Sequence, residues 1–299
     1  MANDLDIFGM SVNDLDIGDK PSMGSDLYSP KPDQGVDGTY SSLIRFLPNL
    51  KNPRKPFVRK FVYWLEDEDG NGFYVDSPST VGDNCPVQDL FFKLRNSDSA
   101  VDNKLSEKLK RREVFYSLIQ IVKDPQNPDL EGQIKVYKFG WKIKQKIDEE
   151  LNPKFDEPVQ VFDPFEGKNF ELVISKKAGF PNYDSSKFQG KLSPMTIDGK
   201  KVSNTDAGKQ AILAYLEGSP ELETWDYTPW SPEERKKVTN VLHSIKSPGS
   251  SIDTIVNNSE QRSVSEDIDD AADALTGTSD DNDDGKEDDL DDFIDGLDL

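Results

Sequence analysis

From Thr39 to Ser175 the apolar residues fall in short runs broken by turn formers, the pattern of strands rather than of helices. Strands are predicted at Ser42–Leu47, Phe57–Leu65, Phe73–Val75, Val114–Val122, Ile134–Phe139, Val159–Phe162 and Phe170–Ser175. Between the second and third, Asp69-Gly70-Asn71-Gly72 consists of residues that tolerate positive φ, which a tight hairpin requires. Pro86–Arg95 and Lys142–Leu151 read as short helices. Short strands with two interposed helices suggest a small barrel or sandwich carrying an insertion, at about residues 65–100. A helical part follows at about 200–247. There Asp206–Glu217 has apolar residues at 211, 212, 213, 215 and 216. Ser231-Pro232-Glu233-Glu234 has capping-box spacing with proline at the first helical position, and opens a helix to about Ile245.

Both ends lack this texture. Residues 1–37 are rich in Asp, Gly, Ser and Pro and are expected to be a disordered acidic arm. They contain a short repeat, Asn3-Asp4-Leu5-Asp6-Ile7 and Asn13-Asp14-Leu15-Asp16-Ile17, too brief to build a repeat fold. Residues 38–247 form the expected core, and 248–299 a linker and acidic tail. Near the end Leu290, Phe293, Ile294 and Leu297 fall at i, i+3, i+4 and i+7, one face of a helix that could dock on a partner.

The charge follows the same division. The formal net charge is −21, but residues 266–299 hold −15 of it and residues 1–37 hold −6, so the stretch 38–265 is neutral. Within it, residues 45–146 carry nineteen Lys/Arg against fourteen Asp/Glu. A mildly basic body between acidic ends suits a polyanion-binding surface for which the tail competes. Cys85 is the lone cysteine, so no intrachain disulfide is possible, and no apolar run approaches the ~18 residues that span a bilayer. The chain reads as soluble and intracellular.

Three clusters interleave cations with rings: Lys108-Leu109-Lys110-Arg111-Arg112 running into Val114-Phe115-Tyr116, Lys135-Val136-Tyr137-Lys138-Phe139, and Phe180-Pro181-Asn182-Tyr183 ending at Lys187-Phe188. Single-stranded nucleic acid requires this pairing, cations for phosphates and flat faces for unstacked bases, each base–ring stack contributing ~1–3 kcal/mol whatever the base. An enzyme reading finds no support. The one histidine, His243, has no second imidazole or thiol to complete a metal site or triad, and there is no Walker A or Gly-x-Gly-x-x-Gly sequence.

The chain resembles the single-stranded DNA-binding (helix-destabilising) proteins of T-even-type bacteriophages. The resemblance is carried by Leu43-Ile44-Arg45-Phe46-Leu47-Pro48, Ser79-Thr80 with Gly82-Asp83 and Cys85-Pro86-Val87, Asp102-Asn103-Lys104, and Lys110-Arg111-Arg112. It continues through Val122-Lys123-Asp124-Pro125, Glu131-Gly132, Tyr137-Lys138-Phe139-Gly140, Phe165-Glu166-Gly167 with Asn169-Phe170, Gly179-Phe180 with Asn182-Tyr183-Asp184, and Ser186-Lys187-Phe188. The ending Asp288-Asp289-Leu290-Asp291-Asp292-Phe293 is similar as well. Order and spacing agree over about residues 40–190.

The resemblance implies a mainly β chain: an OB-fold, a five-stranded Greek-key barrel, with an inserted subdomain, C-terminal helices and acidic tails. It implies coating of single-stranded DNA in viral replication, recombination and repair, in the cytoplasm of the infected host cell. The partners implied are single-stranded DNA, further copies of the chain along it, and phage replication and recombination proteins recruited by the tail; no membrane is involved. By position Arg45, Lys110, Arg111, Arg112, Tyr116, Tyr137, Lys138, Phe180 and Tyr183 match cleft or near-cleft residues, and Phe73 stands where the family has tryptophan.

Two departures stand out. The family holds zinc with one histidine and three cysteines in the insertion; here only Cys85 remains, with Ser77 and Gln88 at about the other thiol positions, so no metal or other cofactor is expected. The family's basic N-terminal arm is replaced by the acidic stretch around Asp4–Asp19. Cleft tyrosines of the family have no counterpart near Ser99 and Leu105, where Phe91 and Phe92 are the candidate substitutes. Two other classes stay open on the residues alone: an OB-fold RNA-binding regulator, and an acidic scaffold or DNA mimic.

Overall fold

The structure, a computed structural model, describes residues 26–67 and 69–245. The Asn3–Ile7 and Asn13–Ile17 repeat, the linker, and the tail with Leu290, Phe293, Ile294 and Leu297 lie outside the described residues.

The body is mixed α/β around one large, mostly antiparallel sheet. Its strands are β1 (Leu27–Tyr28), β2 (Tyr40–Phe46), β3 (Phe57–Glu66), β4 (Gly72–Asp76), β5 (Arg112–Lys123), β6 (Ile134–Phe139), β7 (Phe170–Lys177), β8 (Phe180–Asn182) and β9 (Lys187–Phe188). A separate two-stranded ribbon joins β10 (Thr196–Ile197) to β11 (Lys200–Lys201). The helices are α1 (Pro86–Arg95), α2 (Ala100–Ser106), α3 (Trp141–Leu151), α4 (Asp206–Glu217) and α5 (Pro232–Ser244).

β5 organises the sheet. One of its edges pairs with β6 through residues 115–120. The other pairs first with β3, through residues 112–117, and then with β2, through residues 119–123. The sheet therefore forks into a β3–β4 branch and a β2–β7–β8 branch. No pairing among the described strands joins the ends of the sheet, so the closed barrel is not what the pairings give.

The hairpin forms as its turn residues dictate. Gly70 has φ of 80°, and the Asp67 carboxylate accepts from the amides of Asp69 at 3.1 Å and Asn71 at 2.8 Å. That turn fixes the register Trp64↔Tyr74. α5 begins with the expected capping box, Ser231 accepting from the Glu234 amide while the Glu234 side chain accepts from the Ser231 amide.

Two expectations need correction. Val159–Phe162 is not a strand but irregular chain ending in a turn at Val161 and Phe162, before Asp163, whose carboxylate accepts from the amides of Phe165 and Glu166. Pro158 and Pro164 bracket the segment and each lacks a ladder donor, while Val161 and Phe162 still fill the core through their side chains. The arm also ends sooner than residue 37. β1 pairs in parallel with β6, and the buried Tyr28 and Tyr40 hydroxyls both donate to the buried Asp124 carboxylate, at 2.8 and 2.5 Å. A single anchoring tyrosine between Leu27 and Ser29 carries no period, so the pattern could not reveal it.

Apolar residues gather in three clusters. The first lies between one face of β2–β5–β6–β7 and α3, with Phe46, Phe115, Phe139, Ile143 and Phe170. A second, on the opposite face, joins Val114, Leu118 and Val136 to Ile212 and Leu216 of α4 and to Trp225. The third fills the insertion with Tyr63, Leu65, Val87, Leu90 and Leu94 and receives Val238, Val241 and Leu242 of α5. The insertion is thus no free-standing lobe: the C-terminal helix completes its core, and Trp230 Nε1 donates to the Asp76 carbonyl. At ~1.5–3 kcal/mol per fully buried large apolar side chain, α5 contributes substantially to holding it. Among the described residues no helix is long and apolar enough to cross a membrane.

Candidate nucleic-acid interface

The structure divides the sequence-predicted contacts into those it buries and those it leaves at a surface. Arg45 is buried. Completely enclosed on β2, it donates to Asn169 Oδ1 at 3.3 Å and to the carbonyls of Asp163 and Ser193. Burial pushes its guanidinium down to about 10, while the Asp163 charge acts in the opposite sense. The expectation that Arg45 is a DNA-binding cleft residue is therefore corrected: the loops beside it offer neutral carbonyls that need a donor, and Arg45 supplies it.

Tyr116, Tyr137 and Tyr183 are buried too. Alternation does put Tyr137 and Phe139 on one face of β6 and Val136 on the other, but the face with the rings is the core face under α3. Tyr137, 3% exposed, packs 6.0 Å from Phe139 and 6.2 Å from Tyr28. Tyr116 stacks on Trp225 at 5.1 Å, so a ring from the C-terminal part occupies the place expected for a base. Tyr183 joins the same core as Tyr137. Strand alternation shows that two faces differ without showing which is covered.

What remains is a cation–aromatic surface floored by β3. Phe57, Arg59 and Phe61 alternate onto one face of that strand. Arg59 lies 5.0 Å from the Phe61 ring centre, and Arg111, ahead of β5, lies 3.8 Å from it. From the opposite flank Lys144 of α3 stands 5.3 Å over Phe57 and 5.6 Å over Phe115. One turn earlier on the same face of α3 is Trp141, 53% exposed. Lys142 pairs with Asp184 at 3.3 Å, and Lys146 donates to the Asp184 carbonyl at 3.3 Å. The Asp184 carboxyl is held below its usual range, first by Asn182 and then by Lys142. The third basic-aromatic cluster, with Phe180 half-buried on β8, thus adjoins the first turn of α3.

The other face of β3 carries a second row. Lys138 is 5.3 Å from the Tyr74 ring centre, Tyr74 packs 4.6 Å from Trp64, and Trp64 lies so close over Gly72 that a Cβ there would sit 1.9 Å from the indole. Lys60 reaches the Tyr116 ring at 5.4 Å and pairs with Asp76 at 3.0 Å. Phe73 is half-buried against the insertion core with Lys237 at 5.8 Å, and Phe92, beside Phe91, is exposed. Lys110 and Arg112 are half-buried at the start of β5.

Sequence reasoning missed Arg59, Phe61, Trp64, Tyr74, Trp141 and Lys144. The Trp64–Tyr74 pairing was implicit in the hairpin turn, which fixes that register. Trp141 carried no signal, because a tryptophan after a strand is as often a core residue.

The gp32 DNA binding protein like family profile matches residues 38–215. The single-stranded DNA-binding proteins of Enterobacteria phage T4 and Enterobacteria phage T2 are each 34% identical to this chain over 166 residues, which is 54% of this chain and 54% of theirs. The chain thus spans about half the length of the curated relatives it matches.

Proposed function

On the premise that the chain belongs to the gp32 DNA binding protein like family, we propose that it binds and coats single-stranded DNA, without strong sequence preference, during viral replication, recombination and repair. The observation that carries this is the interleaving of cations and rings along β3 and α3, from Arg59 over Phe61 to Lys144 over Phe57 and on to exposed Trp141. Bases stack on the rings and phosphates run along the cations; neither contact reads base edges, so every sequence is accepted.

Within this proposal the core is an opened OB-type barrel. Its support is the edge of β5 that serves β3 and then β2, as in a sheet curling on itself. The protein is a binding protein and not an enzyme, works in the infected host's cytoplasm, and coats the strand as successive copies. The acidic tail, −15 over residues 266–299, competes with DNA for the basic surface. Displaced by DNA, it offers the Leu290, Phe293, Ile294 and Leu297 face to replication proteins.

Competition between oligo-dT, oligo-rU and duplex DNA for the purified full-length chain tests the reading. Preferential retention of oligo-dT supports it. Tighter binding of oligo-rU would favour an RNA-binding regulator, and no salt-sensitive binding to any of the three would favour an acidic scaffold.

A further inference from the structure

The insertion is where the resemblance implies a zinc ion, and the residues gathered there do not fit one. Cys85 Sγ lies 3.6 Å from the Tyr63 hydroxyl, and Ser77, fully buried, has its hydroxyl 2.8 Å from that of Ser79. Gln88 follows one turn into α1. Among the described residues no three His, Cys, Asp or Glu side chains converge as metal ligands. Structural zinc takes four ligands and binds thiolate, whereas burial raises the pKa of the one thiol present and disfavours its charged form. Hydroxyl and amide groups do not replace three missing ligands.

A fixed positive charge occupies the same place. Arg111 Nη1 donates to Ser79 Oγ at 2.9 Å and to Gln88 Oε1 at 3.1 Å, and its guanidinium lies 3.8 Å from the Phe61 ring centre. A guanidinium does not deprotonate in proteins, so it would repel a dication at this position.

We propose that Arg111 substitutes for the metal, as a cationic staple that fastens the insertion to the sheet. Four segments meet on this one side chain: β3 through Phe61, the turn after β4 through Ser79, α1 through Gln88, and the start of β5 through Arg111 itself. A structural metal holds such segments by ligation, and folding is then coupled to the metal. A planar guanidinium holds them through directional donors and a ring face, and needs no cofactor. In the Lys110-Arg111-Arg112 cluster, Arg111 is accordingly a structural residue rather than a phosphate contact. The inference is independent of what the protein binds.

The test is metal analysis of the purified full-length protein, thermal melting with and without chelator, and the variants Arg111→Met, Arg111→Lys and Gln88→Leu. The staple predicts no stoichiometric zinc and a chelator-insensitive melting temperature. It predicts a fall of roughly 5–10 °C for Arg111→Met, and a smaller fall for Arg111→Lys, which keeps the charge and loses the fork. The salt dependence of DNA binding should match that of the parent protein. One zinc per chain, with melting lowered on its removal, would overturn the proposal. So would Arg111→Met melting like the parent with a salt slope shallower by about 0.7, the signature of a lost phosphate contact. If Arg111→Met does not fold, Gln88→Leu decides: a lowered melting temperature supports the staple, and parental melting contradicts it.

Discussion

Arg45→Met separates the two roles that an arginine in the mildly basic stretch of residues 45–146 can play. The side chain is fully enclosed and donates to Asn169 Oδ1 and to the carbonyls of Asp163 and Ser193. Methionine fills much of the volume but donates nothing, which strands two main-chain carbonyls at ~1–3 kcal/mol each. Removing a buried cation returns part of that, because its desolvation cost disappears. The loop cannot close in compensation: at Gly167 even a Cβ would come within 2.7 Å of the Asp163 and Val161 carbonyls. The net loss is about 2–4 kcal/mol, or roughly 5–15 °C in melting temperature for a body of this size. Urea unfolding followed by tryptophan fluorescence reads the stability, and oligonucleotide titration of the folded variant at two salt concentrations reads the contacts. The reasoning predicts lower stability with an unchanged salt slope. Parental stability with weaker binding and a slope shallower by about 0.7 would place Arg45 on a phosphate and refute it.

Further outcomes follow from the same geometry. Tyr137→Leu and Tyr183→Leu should each cost ~1–3 kcal/mol of stability, measured by urea unfolding, and leave the affinity of the folded protein for single-stranded DNA unchanged. Trp141→Ala should do the reverse, weakening binding by ~1–3 kcal/mol in an oligonucleotide titration with stability within about 0.5 kcal/mol of the parent. Cys85, buried and with its thiol pKa raised by burial, should react with a disulfide reagent at about pH 8 far more slowly in the native protein than in urea. Truncation after Ser265 should tighten DNA binding most at low salt, where screening is weakest; equal affinities there would remove the gating role from the tail.

Much of the fold was legible because it is written in local pattern. The strands of the two long β segments, the hairpin turn and the capped α5 follow from alternation, from residues that accept positive φ, and from the Ser231–Glu234 spacing. Tertiary choices were not local. Nothing near Tyr116 announces that Trp225 will stack on it, and nothing near Arg45 announces the carbonyls of Asp163 and Ser193. β1 is two residues held by a parallel pairing and one buried hydroxyl, too short for any period. For the interface, the sequence located the basic-aromatic segments but not their faces. It chose Tyr116, Tyr137 and Tyr183, which packing covers, over Phe61, Trp64 and Trp141, which it leaves at a surface. Both sets are aromatic residues beside cations; what distinguishes them is the position of α3 and of the Leu222–Trp225 turn.

The most direct test of the central claim is tryptophan-fluorescence titration of the full-length protein with single-stranded oligonucleotides of mixed sequence, at low and at physiological salt. Of the four tryptophans, Trp225 and Trp230 are buried, while Trp64 and Trp141 lie at the cation–aromatic surfaces. The account predicts saturable quenching that is similar for all sequences and is largely lost in Trp141→Phe. It also predicts affinity that falls with salt at a log–log slope of about −2 or steeper, the release expected from three or more phosphate contacts. Unquenched fluorescence with no salt-dependent binding would contradict it.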